Sequence, residues 1–359
     1  MHGVDTAARP FVLVWEVTQA CDLTCEHCRA DAVRRRHPDE LDTAEGKALL
    51  DSAREFGEGQ LVVLSGGDPC KRPDLQELVE YGIEQGLTLT LTPSGTDALT
   101  ADRVEPLAEA GLRRMALSLD GATPASHDAF RGETGSFAAT MRAAGTAREA
   151  GLPLQVNTTV CADTVDELPT IRDLVGDLEA VLWSVFFLVP VGRGEVLDPI
   201  SPERAESVME WLAGVADAAP FDVKTTEAPQ YRRVRAQGDR STRGDDGPGG
   251  GPTGGVVAGD GFAFVSHVGE VYPSGFLPEA TGNVREDDLR ELYRGAPLFT
   301  ALRDRDALEG KCGACEFRRL CGGSRSRAHA TTGNPLASDP LCAYEPPGYD
   351  GPVPGPNHP

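Results

Sequence analysis

The stretch CDLTCEHC, residues 21–28, places Cys21, Cys25 and Cys28 at a Cys-x3-Cys-x2-Cys spacing, soon after the apolar segment FVLVWEV, residues 11–17. Three thiolates can bind three irons of a [4Fe–4S] cube, which normally takes four cysteine ligands. The fourth iron is then open to a small chelating molecule. Two alternatives stay open: three ordinary buried thiols, or a structural zinc site, which usually takes a fourth ligand nearby.

This cysteine motif after a first strand resembles the cluster motif of the radical S-adenosylmethionine (SAM) superfamily. The resemblance implies that the three cysteines hold a catalytic cube, whose open iron binds the amino and carboxylate groups of SAM. It also implies that the reduced cube donates one electron, which breaks a C–S bond of SAM. The resulting 5′-deoxyadenosyl radical takes a hydrogen atom from the substrate. Position 27, usually aromatic in the superfamily, is His27 here.

Short apolar runs alternate with amphipathic stretches from residue 11 to about residue 217. The candidate strands are residues 11–17, 61–65, 87–92, 114–119, 154–160 and 181–189. Several of the intervening helical stretches end at a glycine, and Pro169 predicts that one helix bends or begins late. This order predicts parallel βα units. The pattern does not separate six units from eight, and the resemblance implies an α/β fold with an open, partial (β/α)6 TIM barrel.

A second cysteine set lies near the C-terminus. Cys312, Cys315 and Cys321 occur in KCGACEFRRLC, and Cys342 follows in DPLCAY. Four thiolates at this spacing suit either a zinc ribbon or an iron–sulfur cube.

The apolar hairpin FAFVSHVGEVYPSGF and the following GNVRE resemble the SPASM domain, which normally holds two auxiliary [4Fe–4S] clusters through seven cysteines. Three of those cysteines are missing here: Ser274 and Arg325 take two of the places, and GNVRE lacks the third. The resemblance therefore implies one auxiliary cube, with four protein ligands and a role in electron transfer or structure.

The predicted domains follow from these features. Residues 1–225 form the barrel, residues 226–261 a Gly-rich linker, residues 262–345 the SPASM-like domain, and residues 346–359 a flexible tail. The linker and the tail are rich in glycine or proline, which disfavours a packed core.

The sequence SGGDP follows the second candidate strand and resembles the SAM-binding loop of the superfamily. The resemblance implies that Gly66, Gly67 and Asp68 bind the SAM ammonium group, which suits carbonyls and a carboxylate. An ordinary turn is the alternative. Ser118 and Asp120 end the fourth strand on one face and are implied to contact the SAM ribose and methionine parts. A capping role is the alternative for Asp120.

Weaker signals mark the rest of the predicted SAM site. By resemblance, Arg131 pairs with the SAM carboxylate, while Asn157 and Val189 line the ribose and adenine. A surface arginine is the alternative for Arg131. Cys70 and Cys161 could donate a hydrogen atom to a substrate radical, but a small buried apolar role is the favoured interpretation of both.

The composition excludes several function classes. With 34 Lys and Arg against 56 Asp and Glu, the formal charge is −22, which predicts no nucleic-acid partner. No stretch reaches 18 uninterrupted apolar residues, which predicts no membrane span. No secretory signal is visible in MHGVDTAARP, and the clustered cysteines suit a reducing compartment, which predicts a cytoplasmic protein.

We therefore expect a radical SAM enzyme with two [4Fe–4S] clusters, SAM, and a reducing partner such as flavodoxin or ferredoxin. The residues around both cysteine sets, WEVTQACDLTCEHCRADA and GKCGACEFRRLCGGSR, resemble those of the haem-biosynthesis branch of the superfamily. A small-molecule substrate is favoured, with decarboxylation, dehydration or epimerisation of a sugar, nucleoside or tetrapyrrole side chain. Only ten residues precede the first strand, which favours this over the alternative of a ribosomal peptide. A non-catalytic iron–sulfur or zinc scaffold is the third hypothesis.

Overall fold

The computed structural model describes residues 5–238 and 256–352. Its sheet comprises the strands β1 (Val12–Glu16), β2 (Leu61–Ser65), β3 (Thr88–Leu91), β4 (Arg114–Ser118), β5 (Leu154–Val160), β6 (Leu182–Phe187), β7 (Asp222–Thr226), β8 (Phe262–Val265), β9 (Glu270–Tyr272) and β10 (Gly282–Asn283). Their order is β10-β9-β8-β1-β2-β3-β4-β5-β6-β7. Strands β1 to β7 are parallel, and β8 joins β1 in parallel before the antiparallel β9 and β10.

The described helices lie between and after these strands. They are α1 (Thr43–Arg54), α2 (Leu75–Glu84), α3 (Ala101–Glu109), α4 (Pro124–Arg131), α5 (Ser136–Glu149), α6 (Leu168–Asp177), α7 (Pro202–Ala218), α8 (Gln230–Gly238), α9 (Leu289–Gly295), α10 (Pro297–Arg303), α11 (Gly310–Ala314) and α12 (Arg325–Thr332). Local signals start several of them: Asp42 and Glu45 form a capping box at α1. Pro169 lies in the first turn of α6, which begins late as predicted.

Alternate residues of each strand face opposite sides of the sheet. One side packs against the helices and forms the core. Trp15 is fully buried there, and a Cβ on Gly46 of α1 would lie 2.7 Å from its ring. Trp183 of β6 likewise contacts Trp211 of α7 edge to face. The other side, which lines the interior of the open barrel, carries polar residues such as Gln155, Asn157 and Thr159 of β5.

The predicted partial barrel is confirmed, and its six strands match β1 to β6. Two elements extend it: β7 lies at the end of the predicted barrel domain, and α8 lies within residues 226–261, where a Gly-rich linker was predicted. Residues 239–255 of that linker and residues 353–359 of the predicted tail lie outside the described residues. The predicted hairpin, β8 and β9, continues the barrel sheet beside β1. No helix among the described residues is long and apolar enough to cross a membrane.

Candidate active site at the carboxyl edge of the sheet

The three N-terminal cysteines of the motif lie on one loop that follows β1. Cys21 and Cys25 are buried and Cys28 is partly buried, and they pack together with Leu23 and Ala32. All nine cysteines of the chain are described, and all nine are free thiols. The three thiols of the motif are therefore brought together and are not oxidised in pairs.

Arg193, which the sequence reasoning missed, holds this loop in place. Its Nε donates to the Cys25 carbonyl at 2.9 Å, and its Nη1 donates to the Ala32 carbonyl at 3.1 Å. Its backbone N–H also donates to the Cys28 carbonyl at 3.0 Å. The preceding Gly192 has a φ of +56°, and a Cβ there would lie 2.7 Å from the same Cys28 oxygen. No spacing signal pointed to Arg193, because its partners are backbone carbonyls about 160 residues away.

The SGGDP loop after β2 pairs with the start of the cysteine loop. The Gly67 N–H donates to the Thr18 carbonyl at 2.8 Å, and the Asp68 N–H donates to the Ala20 carbonyl at 2.6 Å. A Cβ on Gly66 would lie 2.3 Å from the Thr18 oxygen, and one on Gly67 would lie 2.5 Å from the Ala20 oxygen. Glycine at both positions is thus required for this close approach.

Asp68 and Ser94 connect this loop to the first cysteine. The Asp68 carboxylate accepts hydrogen bonds from the Cys70 N–H at 3.1 Å and from the Thr96 hydroxyl at 3.3 Å. Burial raises the pKa of Asp68 above its ordinary value. The Ser94 hydroxyl donates to the Gly67 carbonyl at 2.8 Å and lies 3.2 Å from the Cys21 Sγ.

Arg131 and Asp120 form a buried pair beside the cysteines. Arg131 Nη1 donates to Asp120 Oδ2 at 3.3 Å, and Nη2 donates to the Ser94 carbonyl at 3.2 Å. Burial alone would lower the pKa of Arg131, but Cys25 and Asp120 together raise it. Its Nε has no hydrogen-bond partner among the described residues. Arg131 is therefore a buried cation aimed at the cysteine loop, and the surface alternative is wrong.

Asp120 is held by more than Arg131. Its Oδ1 accepts from the Thr159 N–H at 2.7 Å, and its own N–H donates to His127 Nδ1 at 3.2 Å. Burial would raise the pKa of Asp120, but His27 and Arg131 lower it overall. The carboxylate is thus stable in its charged form within the site.

His27 stacks on Phe130 with ring centroids 4.7 Å apart and an interplanar angle of 10°. Its Nε2 lies 4.0 Å from Asp120 Oδ2. Burial lowers the pKa of His27 to about 4, so the ring is neutral at pH 7. The residue between the last two cysteines therefore packs as an aromatic ring.

The remaining predicted residues lie at the same edge or just inside the barrel. Ser118 and Asn157 are neighbours across β4 and β5, and Asn157 Oδ1 accepts from Gln155 Nε2 at 2.7 Å. Val189 is buried two residues after β6. Cys161 is also fully buried and packs against Phe130, in agreement with its favoured apolar role.

Two cations face the interior of the barrel below this edge. Lys224 of β7 is in register with Ser184, which is in register with Asn157, so all three side chains share the inner face. Burial and, to a smaller extent, the positive charge of Arg114 of β4 together lower the pKa of Lys224 to about 8. Three strand spacings separate β4 from β7, about 14 Å. Arg114 alternates with Ser118 on the same face of β4, so both cations lie on the inner face of the sheet, and neither forms an ion pair within the described residues.

A second group missed by sequence joins the cysteine loop to the hairpin. Arg29 Nη2 lies 2.8 Å from Glu16 Oε2, and His267 Nδ1 lies 2.6 Å from Glu16 Oε1. Burial would raise the pKa of Glu16, but Arg29 and His267 lower it overall. Arg29 also stacks over Phe264 at 4.3 Å. The end of β1, the cysteine loop and the turn after β8 thus share one buried carboxylate.

The four C-terminal cysteines line one cavity. Cys312 Sγ accepts from the Asp339 N–H at 3.4 Å and from Arg325 Nη2 at 3.6 Å, and Cys321 Sγ accepts from the Gly323 N–H at 3.4 Å. No three His, Cys, Asp or Glu side chains among the described residues are grouped tightly enough to hold a single metal ion. A cube does not need such a group, because each of its irons takes its own thiolate.

Comparison with known proteins places this geometry in a family. The family model of the Radical SAM superfamily matches residues 15–175 of this chain. AdoMet-dependent heme synthase of Methanosarcina barkeri is 39% identical over 345 residues, which cover 94% of this chain and 97% of that protein. The chain belongs to the radical SAM superfamily. It is therefore an enzyme of the SAM-dependent, [4Fe–4S]-containing class.

Other relatives agree with this assignment. AdoMet-dependent heme synthase of Nitratidesulfovibrio vulgaris is 38% identical and covers 93% of this chain and 92% of its own length. The crystal structure of Streptococcus suis SuiB bound to S-adenosylmethionine has a TM-score of 0.72, with 18% identity, 94% of this chain covered and 78% of that chain. At that identity the structural likeness shows the fold of a radical SAM enzyme and no more.

The residues of this radical SAM enzyme fit its cofactors. Three buried or half-buried thiols share one loop, and the buried guanidinium of Arg131, whose Nε has no partner among the described residues, lies near enough for Cys25 to raise its pKa. The glycine-rich loop brings backbone carbonyls and the Asp68 carboxylate to the same place. A cluster and a zwitterionic amino acid group need these donors and charges.

Proposed function

We propose that this enzyme forms haem from an iron tetrapyrrole by oxidative decarboxylation of propionate side chains. The observation that carries the proposal is the near full-length similarity to proteins named AdoMet-dependent heme synthase. Pre-heme d1 synthase of Dinoroseobacter shibae, 30% identical over 92% of this chain, is a further relative named for haem chemistry. A small-molecule substrate with several carboxylates follows from this assignment.

The proposed reaction balances when an electron acceptor is present. When bound, SAM and its cluster supply the radical that removes a hydrogen atom from the substrate. A propionate that loses one hydrogen atom from its β carbon, one carbon dioxide molecule and one electron becomes a vinyl group. We propose that Cys312, Cys315, Cys321 and Cys342 hold an auxiliary [4Fe–4S] cluster that accepts this electron. A flavodoxin or ferredoxin in the cytoplasm is the proposed electron donor to the N-terminal cluster.

The site residues have proposed roles in holding SAM. Cys21, Cys25 and Cys28 bind the cluster, and Gly66, Gly67 and Asp68 accept hydrogen bonds from the SAM ammonium group. Arg131 pairs with the SAM carboxylate, which suits its buried and unpartnered Nε. Asp120 and Ser118 contact the ribose and methionine parts, and Asn157 and Val189 line the ribose and adenine.

The barrel interior supports an anionic substrate. Lys224 and Arg114 lie on the inner face of the sheet without an ion pair among the described residues, and the exposed Asp222 at the start of β7 acts only to oppose the lowering of the Arg114 pKa by burial. Unpaired cations in a concave site attract carboxylates. We propose that these two residues bind a propionate of the substrate.

Anaerobic reconstitution followed by product analysis tests the proposed function. We expect about eight irons per chain, falling to about four in Cys21→Ala/Cys25→Ala/Cys28→Ala, because each cube holds four irons. With reductant, SAM and the iron complex of coproporphyrin III, we expect 5′-deoxyadenosine, carbon dioxide and haem. The iron porphyrin with esterified propionates is the matched control and should give no haem.

Three results would contradict this proposal. Four irons in the wild-type protein would remove the auxiliary cluster. No 5′-deoxyadenosine under reducing conditions would favour the non-catalytic scaffold. Deoxyadenosine that forms at the same rate with and without the porphyrin, and with no haem, would exclude the tetrapyrrole substrate and leave the peptide alternative.

A further inference from the structure

Two buried cations beside the four C-terminal cysteines have no carboxylate partner in the described chain. Arg325 begins α12 and is fully buried, and Lys311 lies in α11 with 3% of its surface exposed. Both lie within reach of the cavity that Cys312 and Cys342 line. The positive charges of Arg325 and Lys311 are thus not compensated by any carboxylate among the described residues.

Arg325 donates its hydrogen bonds to neutral backbone carbonyls and to one thiol. Its Nη1 donates to the Pro335 and Ala337 carbonyls at 2.9 and 2.8 Å, and its Nε donates to the Gly323 carbonyl at 3.3 Å. Its Nη2 lies 3.6 Å from the Cys312 Sγ. The guanidinium is therefore fixed in position with one edge against a cysteine sulfur.

Lys311 has the same character on another side of the cavity. Its Nζ donates to the backbone carbonyl of Cys342, and its backbone N–H donates to the Ser338 hydroxyl at 2.7 Å. The ammonium group thus lies beside the backbone of a second cysteine, and Lys311 lines the cysteine cavity.

Other buried arginines in this part of the chain are neutralised. Arg327 lies 3.2 Å from Asp339, Arg233 pairs with Glu206, and Arg305 lies 2.6 Å from Asp260. Burying an unpaired charge costs several kcal/mol. An anionic group in the cysteine cavity would compensate the charges of Arg325 and Lys311.

A [4Fe–4S] core with four thiolates supplies this charge. It carries a net charge of −2 when oxidised and −3 when reduced, and nearby charges and hydrogen bonds to its sulfurs set its potential. A fixed cation stabilises the more negative, reduced form more strongly. Arg325 also stands at one of the places where the SPASM resemblance puts a further cysteine, so the chain has a charge there in place of a ligand.

We propose that Arg325 and Lys311 are the counter-ions of the auxiliary cluster and raise its reduction potential, which enables it to accept the electron released from the substrate. This inference rests on the proposed function, because it assigns residues to the electron acceptor named there. Both residues act on the cluster and not on the substrate.

Redox titration followed by electron paramagnetic resonance tests the inference. The full-length Cys21→Ala/Cys25→Ala/Cys28→Ala protein isolates the signal of the four-cysteine site. In this background we expect Arg325→Gln and Lys311→Gln each to lower the equilibrium constant for reduction about tenfold, a shift of about 59 mV for a one-electron couple. Arg325→Lys should stay close to the parent. Arg319→Gln is the matched control, because that side chain is 70% exposed.

The outcomes separate this inference from the proposed function. A parent protein with no cluster contradicts the proposed function. A loaded cluster whose potential is unchanged in both Gln variants overturns the inference alone. Should Arg325→Gln fail to load iron, the potential of Lys311→Gln decides. If neither Gln variant loads iron, the Arg325→Lys variant decides. Iron loading in Arg325→Lys supports the role of the positive charge, and no iron loading in that variant overturns the inference.

Discussion

Single residues at the carboxyl edge of the sheet carry charges that only their neighbours make stable. Arg131 is buried beside the cysteine loop and Asp120, and Cys25 and Asp120 raise its pKa despite burial. His27 and His127, in contrast, are neutral because burial lowers the pKa of each to about 4. The site thus combines one permanent cation with aromatic rings that do not compete with it for Asp120.

His127 predicts how stability depends on pH. Its ring lies among Asp120, Arg131, Asp128 and His27, and burial lowers its pKa to about 4. A folded pKa below the unfolded value means that protons favour unfolding as the pH falls from about 6.5 to 4, by roughly 3 kcal/mol for one histidine. We expect His127→Asn to show a smaller fall in melting temperature between pH 7 and pH 5 than the wild type.

The comparison for this prediction is His37→Asn, which changes an exposed histidine. It should keep the wild-type dependence on pH. An equal fall in melting temperature for wild type and His127→Asn, measured anaerobically, would show that His127 is not the source.

Lys224 predicts a second pH dependence, in substrate binding. Its charged form is present below its pKa of about 8, which surrounding protein and Arg114 hold below the ordinary value. Affinity for a porphyrin with propionates should therefore weaken as the pH rises through 8. We expect Lys224→Gln to raise KM about tenfold at pH 7, since a charged hydrogen bond contributes about 1.5–3 kcal/mol, and to flatten the pH profile. Arg113→Gln, an exposed neighbour of Arg114, should match the wild type, and a wild-type KM in Lys224→Gln would reject the assignment.

At the scale of elements, the site is built from loops that leave neighbouring parallel strands. The loops after β1 and β2 pair through Gly67 and Asp68, and the loop after β3 contributes Ser94. Helix α4, after β4, contributes Arg131 at its last turn. Parallel strands bring their carboxyl ends to one edge, which is why residues far apart in sequence meet there.

Gly67 is the position where this arrangement tolerates least change. A Cβ there would lie 2.5 Å from two backbone carbonyls, of Gln19 and Ala20. We expect Gly67→Ala to separate the two loops and weaken SAM binding at least about tenfold, with equilibrium dialysis as the measurement, because an overpacked contact costs about 1–3 kcal/mol.

Gly145 in α5 provides the matched control, since nothing lies within 4 Å of a Cβ added there. Gly145→Ala should bind SAM as the wild type does and stabilise the helix by up to about 1 kcal/mol. Equal SAM affinity in the two alanine variants would disprove the close-contact argument.

At the scale of the whole molecule, one arginine connects the C-terminal cysteine segment to the barrel. Arg327 donates to the Phe187 and Leu188 carbonyls at the end of β6, both at 3.0 Å, and to the Glu227 carbonyl after β7 at 2.8 Å. It also pairs with Asp339, whose backbone N–H donates to Cys312 Sγ. The four-cysteine site is thus fixed relative to the barrel interior by buried polar contacts.

This connection predicts a large effect of one substitution. Arg327→Met should lower stability by about 3–5 kcal/mol, because it leaves the Asp339 carboxylate buried and unpaired. The double variant Arg327→Met/Asp339→Asn should recover part of the loss, and the exposed Arg319→Gln should show none. Anaerobic thermal unfolding measures all three, and a double variant no more stable than Arg327→Met would contradict the pairing.

The sequence by itself determined the parts that depend on local pattern. Apolar runs located six parallel strands, and cysteine and glycine spacing located the two thiol sets and the SGGDP loop. Strand β7, DVKTT, was not predicted from the sequence because this edge strand contains no apolar run. Helix α4 was also not predicted, although Thr123, Pro124 and Ser126 form a recognisable N-terminal capping motif.

The tertiary structure alone decided which charges meet. Arg193 binds carbonyls of the cysteine loop, Arg29 and His267 share Glu16, and Lys224 faces Arg114 across the barrel. Apart from the contact between Arg29 and Glu16, these interactions join residues more than 100 positions apart in the sequence. Their energy depends on burial and orientation, which arise only when the sheet curves and closes the distance, and no local spacing encodes that curvature.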